Sequence, residues 1–569
     1  MKPIDLRVEG VRQGAIEVVR NRMIIVMALF ALGFVTLSFK LVSVGVFQAN
    51  KEIGYRTASA NNALLMARAD IVDRNGVVLA TNLKTPSLGV NPHKINDPEL
   101  LSYRIKEVLP SLKRDDILAT LTSERRHAWI KRKLTPKQMF EINKLGEPGL
   151  VFSDAEKRIY PHGSLVSHVL GSVGVDNQPS AGVELYFNER LSDPLCSEEP
   201  LELSIDIRLQ HILNQELNNY MEKFSAKGGA GLILDAKTGE VLALSSLPDF
   251  DPNENNDPTD PSRFNQILQG VYELGSGFKT FTIASGLESN VVDLGGGYDA
   301  SKPVRVSGFT IHDDHAKNRW LSVPEIYVYS SNIGTLKMAQ EIGVDGQKEF
   351  FEKLGLFRKT DIEIHEKGNP ILPYQWGPTE LVSTSYGHGI AVTPLHLASG
   401  VAAMINGGRL NPATLIRKDA KQFQTVSYEQ DEFQVISPET SEVMRNLMHL
   451  VVEFGTGKSA KVDGYLIGGK TGTANKAAEK GDGFRGYKKE IISSFVAAFP
   501  INDPQYVIFA MLDEPHGIKE TFNMASGGWT AAPMVGNIIR KVGPLMGIKP
   551  AQTNDIEFEE MMLVSGTEE

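Results

Sequence analysis

Residues 272–286 read Tyr-Glu-Leu-Gly-Ser-Gly-Phe-Lys-Thr-Phe-Thr-Ile-Ala-Ser-Gly and contain the only S-x-x-K of the chain, at Ser276 and Lys279. A serine hydroxyl is a weak nucleophile until a base lies within hydrogen-bond reach, and residues three apart on a helix are neighbours. Gly275 permits a tight turn, and apolar residues follow it at helical spacing. The stretch predicts a helix that starts at a nucleophilic serine, with lysine as the base and free N–H groups facing developing negative charge.

Two further motifs follow in a fixed order. They are Ser330-Ser331-Asn332 and Lys470-Thr471-Gly472-Thr473. An S-x-x-K alone arises by chance about once or twice in a chain of this length. The order S-x-x-K, S-x-N, K-T-G is much more specific, because it is typical of serine β-lactamases and penicillin-binding proteins.

A second K-T-G lies earlier in the chain, at Lys237-Thr238-Gly239. It stands between two apolar runs, with glycine in the position that a tight turn favours. We therefore predict a hairpin turn for this copy and a place in the active site for the copy at Lys470, which follows an apolar, glycine-rich segment.

The resemblance to one family extends well beyond these motifs, from Arg68 to about Pro533. The stretches that carry it are R-A-D-I-V-D-R-N-G-V-V-L-A, R-I-Y-P-H-G, G-V-E-L-Y-F-N, S-I-D-I-R-L-Q, S-L-P-D-F-D-P-N, S-Y-G-H-G-I-A-V-T-P-L-H, G-T-G-K-S-A and G-G-K-T-G-T-A. The chain resembles class B penicillin-binding proteins, most of all the division-type peptidoglycan D,D-transpeptidases (the penicillin-binding protein 3 type). Two departures are visible, Ala69 in place of glycine and Leu274 in place of proline, and neither changes a reacting group.

The resemblance implies roles for the motif residues in acyl transfer. Ser276 would attack the peptide, with Lys279 as a base whose proton is loosened by Lys470 and by partial desolvation. The N–H groups of Ser276 and Thr473 would form an oxyanion hole. By the same resemblance, Ser330 would relay a proton to the departing D-alanine, and Asn332 would hold the backbone of the donor peptide. The terminal carboxylate of a D-Ala-D-Ala stem would be bound by Lys470, Thr471, Gly472 and Thr473.

The resemblance also implies the fold. It is an α+β (α/β/α) transpeptidase domain like that of serine β-lactamases, with a central antiparallel sheet, preceded by an extended N-terminal pedestal and one transmembrane helix. The expected organisation is a cytoplasmic tail at 1–22, an anchor at 23–47, a dimerisation-type pedestal at 48–200, the transpeptidase domain at 201–545 and a peripheral tail at 546–569. Residues 475–490, rich in Lys and Gly, are expected to form a long exposed loop.

The N-terminus predicts a membrane anchor. Residues 23–39 are uncharged and apolar, and after Lys40 an apolar stretch continues to Phe47, which together is long enough to span a bilayer. Five basic residues precede it, so the N-terminus is expected to stay in the cytoplasm and the catalytic domain to lie in the periplasm of a bacterial inner membrane. The alternative is a cleaved signal peptide, for which Ser43-Val44-Gly45 is a faint cleavage match.

Composition excludes several classes of function. A net charge of −10 without a long basic tract argues against a nucleic-acid partner, and the single cysteine, Cys196, excludes an intrachain disulfide and a cysteine-based zinc cluster. His312-Asp313-Asp314-His315 has the look of a cation site but lacks a third set of ligands, so no metal and no cofactor are expected. His388, Tyr487 and Trp529 could either line the cleft or only pack.

The motifs are compatible with four functions. A septal transpeptidase that β-lactams inhibit is the main expectation, with stem peptides as substrate and a septal glycosyltransferase and other division-complex membrane proteins as partners. The elongation-type paralogue is the alternative within the family. A β-lactamase would need a water-activating E-x-x-L-N element, which does not follow Ser330. A penicillin sensor or silent scaffold would use the same serine, but a sensor would need an effector domain larger than the roughly 22 residues ahead of the anchor.

Overall fold

The computed structural model describes residues 6–42, 68–174, 177–254, 257, 259–418, 433–477 and 486–551. The chain divides into two compact units, Met1–Met66 with Thr85–Ala155 and Ala67–Lys84 with Glu156–Glu569. This division follows packing and groups residues 156–200 with the second unit. The domain boundary near residue 200 therefore stays a prediction.

The described residues contain strands of 2 to 13 residues. In chain order they are β1 (Ile71–Val72), β2 (Val78–Val90), β3 (Ala128–Lys131), β4 (Leu150–Ile159), β5 (Leu201–Glu202), β6 (Gly228–Asp235), β7 (Val241–Leu247), β8 (Gly297–Asp299), β9 (Val304–Val306), β10 (Phe309–Ile311), β11 (Trp320–Ser322), β12 (Gly468–Ala477), β13 (Tyr487–Phe499) and β14 (Tyr506–Asp513). The α-helices are Leu6–Val42, Pro98–Val108, Arg114–Leu121, Pro136–Asn143, Ser167–Leu170, Gly182–Tyr186, Asn188–Leu191, Ile207–Lys223, Lys279–Glu288, Val323–Val328, Asn332–Lys353, Pro378–Ser385, Pro394–Ile405, Pro438–Glu453 and Ala531–Leu545.

The first helix, Leu6–Val42, contains residues 23–42 of the predicted anchor, and residues 43–47 lie outside the described part of the chain. Its segment Arg20–Ser38 has a mean hydropathy of 1.8 and is not buried against the rest of the protein. Nineteen helical residues rise about 28 Å, close to the thickness of the hydrocarbon core of a bilayer. The helix is therefore long and apolar enough to serve as a single-pass anchor. The cleavage match at 43–45 lies outside the described residues.

The first unit is built around its own small core. Its helices Pro98–Val108, Arg114–Leu121 and Pro136–Asn143 bury apolar residues against the pair formed by the end of β2 and β3. Two of these helices begin at capped positions, where Asp97 accepts from the N–H of Leu100 and Thr135 from that of Gln138. The buried core residues are Leu88, Val90, Leu101, Ile105, Leu109, Ile117, Leu121, Ala128, Leu134 and Ile142.

The second unit begins with the hairpin that the Asn-Gly signal predicts. β1 pairs antiparallel with β2, with Ile71 opposite Ala80. The carboxylate of Asp73 accepts from the N–H groups of Asn75 and Val77 across the turn, and Gly76 has a φ of +81°. The predicted hairpin is confirmed, and a glycine suits its turn because that backbone conformation is costly for other residues.

A five-stranded antiparallel sheet forms the centre of the second unit, in the order β12-β13-β14-β6-β7. Its side chains alternate between two apolar layers. On β14, Ile508 and Leu512 pack with the helices Ile207–Lys223 and Ala531–Leu545, while Phe509 packs in the layer that contains the helix Lys279–Glu288. This is the predicted α/β/α arrangement, because a sheet that is apolar on both faces needs helices on both.

Two details of the predicted strands are settled by this sheet. Lys237 lies in the turn between β6 and β7, as predicted, with Gly239 at a φ of +77°.

The expected bounds of the loop, 475–490, are wrong at both ends, because β12 continues to Ala477 and β13 begins at Tyr487. The charge of Lys476 is accommodated in the strand by Asp513 and Glu514, whose oxygens lie 2.8 and 2.7 Å from its ammonium.

A buried ion cluster joins three of the family-like stretches within the second unit. Glu184 accepts from Nε of Arg68 at 2.6 Å and from Nε of Arg158 at 2.7 Å. The carboxylate is fully buried and the two guanidinium groups are nearly so. Buried charges persist only when they are paired, so the cluster ties the segment at 68–70 to those near 158 and 184.

Candidate active site

The three motifs meet at one cleft of about 1160 Å³ in the second unit. Ser276, Ser330, Asn332, Thr471 and Thr473 all line it. One wall is the edge strand β12, and the other walls include the helix beginning at Asn332 and the turn that carries Ser276.

Ser276 lies on a turn of 3₁₀-helix, Gly275–Phe278, which leads into the α-helix Lys279–Glu288. The sequence predicts a helix from this point, and the structure shows that its first turn is the tighter kind. Gly275 has a φ of +54°, and a Cβ at this position would lie 2.6 Å from the carbonyl oxygen of Thr473. The serine is therefore brought to β12 by an approach that only glycine allows.

Lys279 is buried and its ammonium donates to the carbonyl and, at 3.0 Å, to the hydroxyl oxygen of Ser330. Burial lowers the pKa of Lys279 to about 7, while the carboxylates of Asp313 and Asp314 act in the opposite direction. The sequence predicts a lowered pKa for Lys279 from partial desolvation and from crowding by Lys470. The direction agrees, and of the two predicted causes desolvation is the main one.

Lys470 reaches the same hydroxyl from the other side. Its ammonium lies 2.9 Å from the hydroxyl oxygen of Ser330, and its side chain is fully buried. Burial lowers the pKa of Lys470 well below its usual range, and the positive charge of Lys279 lowers it further. Ser330 has a φ of +60°, an uncommon conformation for serine that places its side chain between the two lysines.

Asn332 begins a helix and lines the cleft, and its side-chain N–H donates to the carbonyl of His312 at 2.9 Å. The loop that follows β10 is bound to the same helix start, because Asp313 accepts from the hydroxyl of Ser331 at 2.7 Å and from the N–H of Ile333 at 2.9 Å. Asp313 thus accepts from one of the free N–H groups at the start of the S-x-N helix, whose N-cap residue is Ser331. Asp313 belongs to the segment 312–315, whose sequence has the look of a cation site. Among the described residues no group of three or more metal-binding side chains occurs.

The K-T-G segment presents two hydroxyls and one glycine. Thr471 shares a 2.7 Å hydrogen bond with the hydroxyl of Thr456, and Thr473 accepts from the N–H of Gly527 at 3.0 Å. Between them, a Cβ on Gly472 would lie 2.6 Å from the carbonyl oxygen of Leu274. Gly472 therefore lets the turn that carries Ser276 pack against β12.

Three residues that the sequence left undecided line the cleft: His388, Tyr487 and Trp529. The hydroxyl of Tyr487 donates to the carboxylate of Glu273 at 2.9 Å, and its ring lies edge-on to His388. Sequence reasoning did not select Asp313, Thr456 or Glu273. Only G-T-G-K-S-A, a stretch that carried the family resemblance, pointed to the neighbourhood of Thr456.

The fold and the meeting of the three motifs define a penicillin-binding transpeptidase. A family described as the penicillin binding protein transpeptidase domain matches residues 229–540, and one described as the penicillin-binding protein dimerisation domain matches residues 64–191. The chain belongs to the family of penicillin-binding protein transpeptidases.

Individual proteins that are similar to this chain support the same family assignment. The chain is 35% identical over 546 residues to a probable peptidoglycan D,D-transpeptidase FtsI of Caulobacter vibrioides, covering 93% of this chain and 89% of that protein. It is 32% identical to the stage V sporulation protein D of Bacillus subtilis, covering 95% and 88%. A peptidoglycan synthetase from Bifidobacterium adolescentis has the same fold, with a TM-score of 0.67, 20% identity and coverage of 87% of this chain and 98% of that one. The resemblance and the fold predicted from the sequence are thereby confirmed.

Proposed function

We propose that this protein is a membrane-anchored peptidoglycan D,D-transpeptidase that crosslinks stem peptides at the division septum and is inhibited by β-lactams. The observation that carries the proposal is the convergence of two buried lysines on the hydroxyl of Ser330, in the cleft that Ser276 lines. The relative from C. vibrioides supports the division role, because its name is that of a D,D-transpeptidase of the FtsI type.

Acyl-enzyme formation follows from this arrangement. A lysine with a pKa of about 7 is neutral in a large fraction of molecules at neutral pH, so Lys279 can take the proton of Ser276 as its oxygen attacks the peptide carbonyl. The N–H groups of Ser276 and Thr473 would stabilise the oxyanion, a contribution of about 10²–10³ in rate for one such donor. When the C–N bond breaks, Ser330 passes the proton from Lys279 to the departing D-alanine amine.

The second half-reaction reverses these transfers. The amine of a second stem peptide attacks the acyl carbonyl and loses a proton through Ser330 to Lys279. The tetrahedral intermediate collapses, the new amide is released, and Ser276 regains its proton from Lys279. Asn332 holds the donor backbone in this scheme, and its side-chain N–H would exchange the carbonyl of His312 for that of the peptide.

The anchor suggests where the reaction occurs. With five basic residues ahead of the apolar stretch that begins at Met23, we place the N-terminus in the cytoplasm and the cleft in the periplasm. A transpeptidase domain crosslinks glycan strands but does not polymerise them, so a septal glycosyltransferase within the division complex is the partner that we propose.

Depletion in growing cells tests the division role. If the protein acts at the septum, depleted cells become long and undivided at normal width, and a fluorescent penicillin labels the septum only while the protein is present. Round or swollen cells would instead assign the protein to the elongation-type branch of the family.

A further inference from the structure

The wall of the cleft beside Thr471 carries a cation that the proposed mechanism does not use. Thr456, Lys458 and Ser459 line this wall, and the hydroxyl of Thr456 lies 2.7 Å from that of Thr471. Lys458 begins a short 3₁₀-helix, Lys458–Ala460, and its side chain is exposed. Among the described residues that line the cleft, Lys458 is the only lysine or arginine.

The lysine of the K-T-G motif is poorly placed to provide that charge. The side chain of Lys470 is fully buried, and its ammonium is directed to the hydroxyl of Ser330 and, at 3.4 Å, to the carbonyl of Thr471. A carboxylate that leaves water for the cleft loses hydration and needs a charged or hydrogen-bonding partner in return. The hydroxyls of Thr456 and Thr471 are such partners, because one donates to the other and one O–H remains for a ligand.

We propose that Lys458 is a specificity-determining residue, which supplies the positive charge that recognises the terminal carboxylate of the donor D-Ala-D-Ala, together with the hydroxyls of Thr456 and Thr471. This inference rests on the proposed transpeptidase function and names how its cleft selects carboxylate-bearing substrates. β-Lactams that carry a carboxylate use the same contact. Lys470 is left to act on Ser330.

The test compares one penicillin with its methyl ester, which lacks the charge. We expect Lys458→Gln to lower the second-order rate of acylation by benzylpenicillin about fivefold to tenfold, since the contact is charge-assisted but partly exposed. The rate with the methyl ester should not change. Lys458→Arg should keep most of the rate with the acid, and added salt should weaken the preference of the native protein for the acid because it screens exposed charges.

Lys461→Gln is the matched control. Lys461 follows the same short helix and pairs with Glu453 instead of lining the cleft. Its removal should leave both rates and the acid-to-ester ratio unchanged. An unchanged rate in Lys458→Gln, or an equal loss for acid and ester, would overturn the inference. Failure of the native protein to be acylated at all would count against the proposed function instead.

Discussion

The ammonium of Lys470 lies 2.9 Å from the hydroxyl oxygen of Ser330, although 140 residues separate the two along the chain. Lys279 approaches the same oxygen at 3.0 Å. Two lysines this close are stable only if at least one of them is neutral, and burial lowers the pKa of both. The hydroxyl of Ser330 therefore connects two groups that can carry a proton.

The choice between the two K-T-G copies can be tested directly. Lys470→Ala should slow penicillin acylation by about two orders of magnitude or more, because it removes a hydrogen-bond partner of Ser330 from a buried site. Lys237→Ala should be acylated at the native rate. Lys237 lies in an exposed turn, 2.8 Å from Asp503, where an ion pair contributes little. A comparable loss in both variants would contradict this assignment.

The pH dependence of acylation should report Lys279. The neutral amine is the base, so the rate should rise with pH around 7, where the pKa of Lys279 lies. Asp314 lines the cleft and raises this pKa, so Asp314→Asn should lower it and move the rising limb to lower pH. Asp345→Asn removes the same charge from an exposed position outside the cleft lining and should leave the profile in place. A shift to higher pH in Asp314→Asn would refute the assignment.

Gly275 should be needed both for its positive φ and because no space is left for a side chain beside Thr473. Gly275→Ala places a Cβ 2.6 Å from the carbonyl of Thr473 at a φ of +54°, so it should cost about 1–3 kcal/mol of stability and displace Ser276 from β12. Gly76→Ala is the control, since its φ is +81° but no atom lies within 4 Å of the added Cβ. It should cost about 1 kcal/mol and leave acylation unchanged. Melting curves and acylation rates of the two variants measure the difference.

The fold was largely predictable because its sequence patterns are local and strong. The apolar strands β6, β7, β13 and β14 and the Asn-Gly hairpin stand out by periodicity and turn chemistry, and the motif order identified the family. What could not be predicted depends on contacts between distant segments. In the sequence Asp313 stands out only as part of a cation-like cluster, because its hydrogen bond to Ser331 forms only when the loop after β10 lies against the start of the helix Asn332–Lys353. Likewise, nothing near Lys476 in the sequence shows that Asp513 and Glu514 will neutralise it within a strand.

The ion cluster in the second unit should matter for stability and not for chemistry. Glu184→Gln leaves Arg68 and Arg158 buried without a counter-charge, so we expect a loss of about 3–5 kcal/mol in the free energy of unfolding. The folded fraction should be acylated at the native rate. Glu141→Gln breaks an exposed pair with Lys144 and should change stability by less than about 1 kcal/mol. Equal effects of the two substitutions in thermal or chemical denaturation would show that the buried cluster has no special role.

The central claim is that Ser276 is the acylated residue, and the mass of the protein after incubation with a penicillin tests it most directly. The native protein should gain the mass of one penicillin, and the adduct should map to the peptide that contains Ser276. Ser276→Ala, with an unchanged melting temperature, should gain none. An adduct on another serine, such as Ser330, or an adduct that persists in Ser276→Ala, would contradict the account.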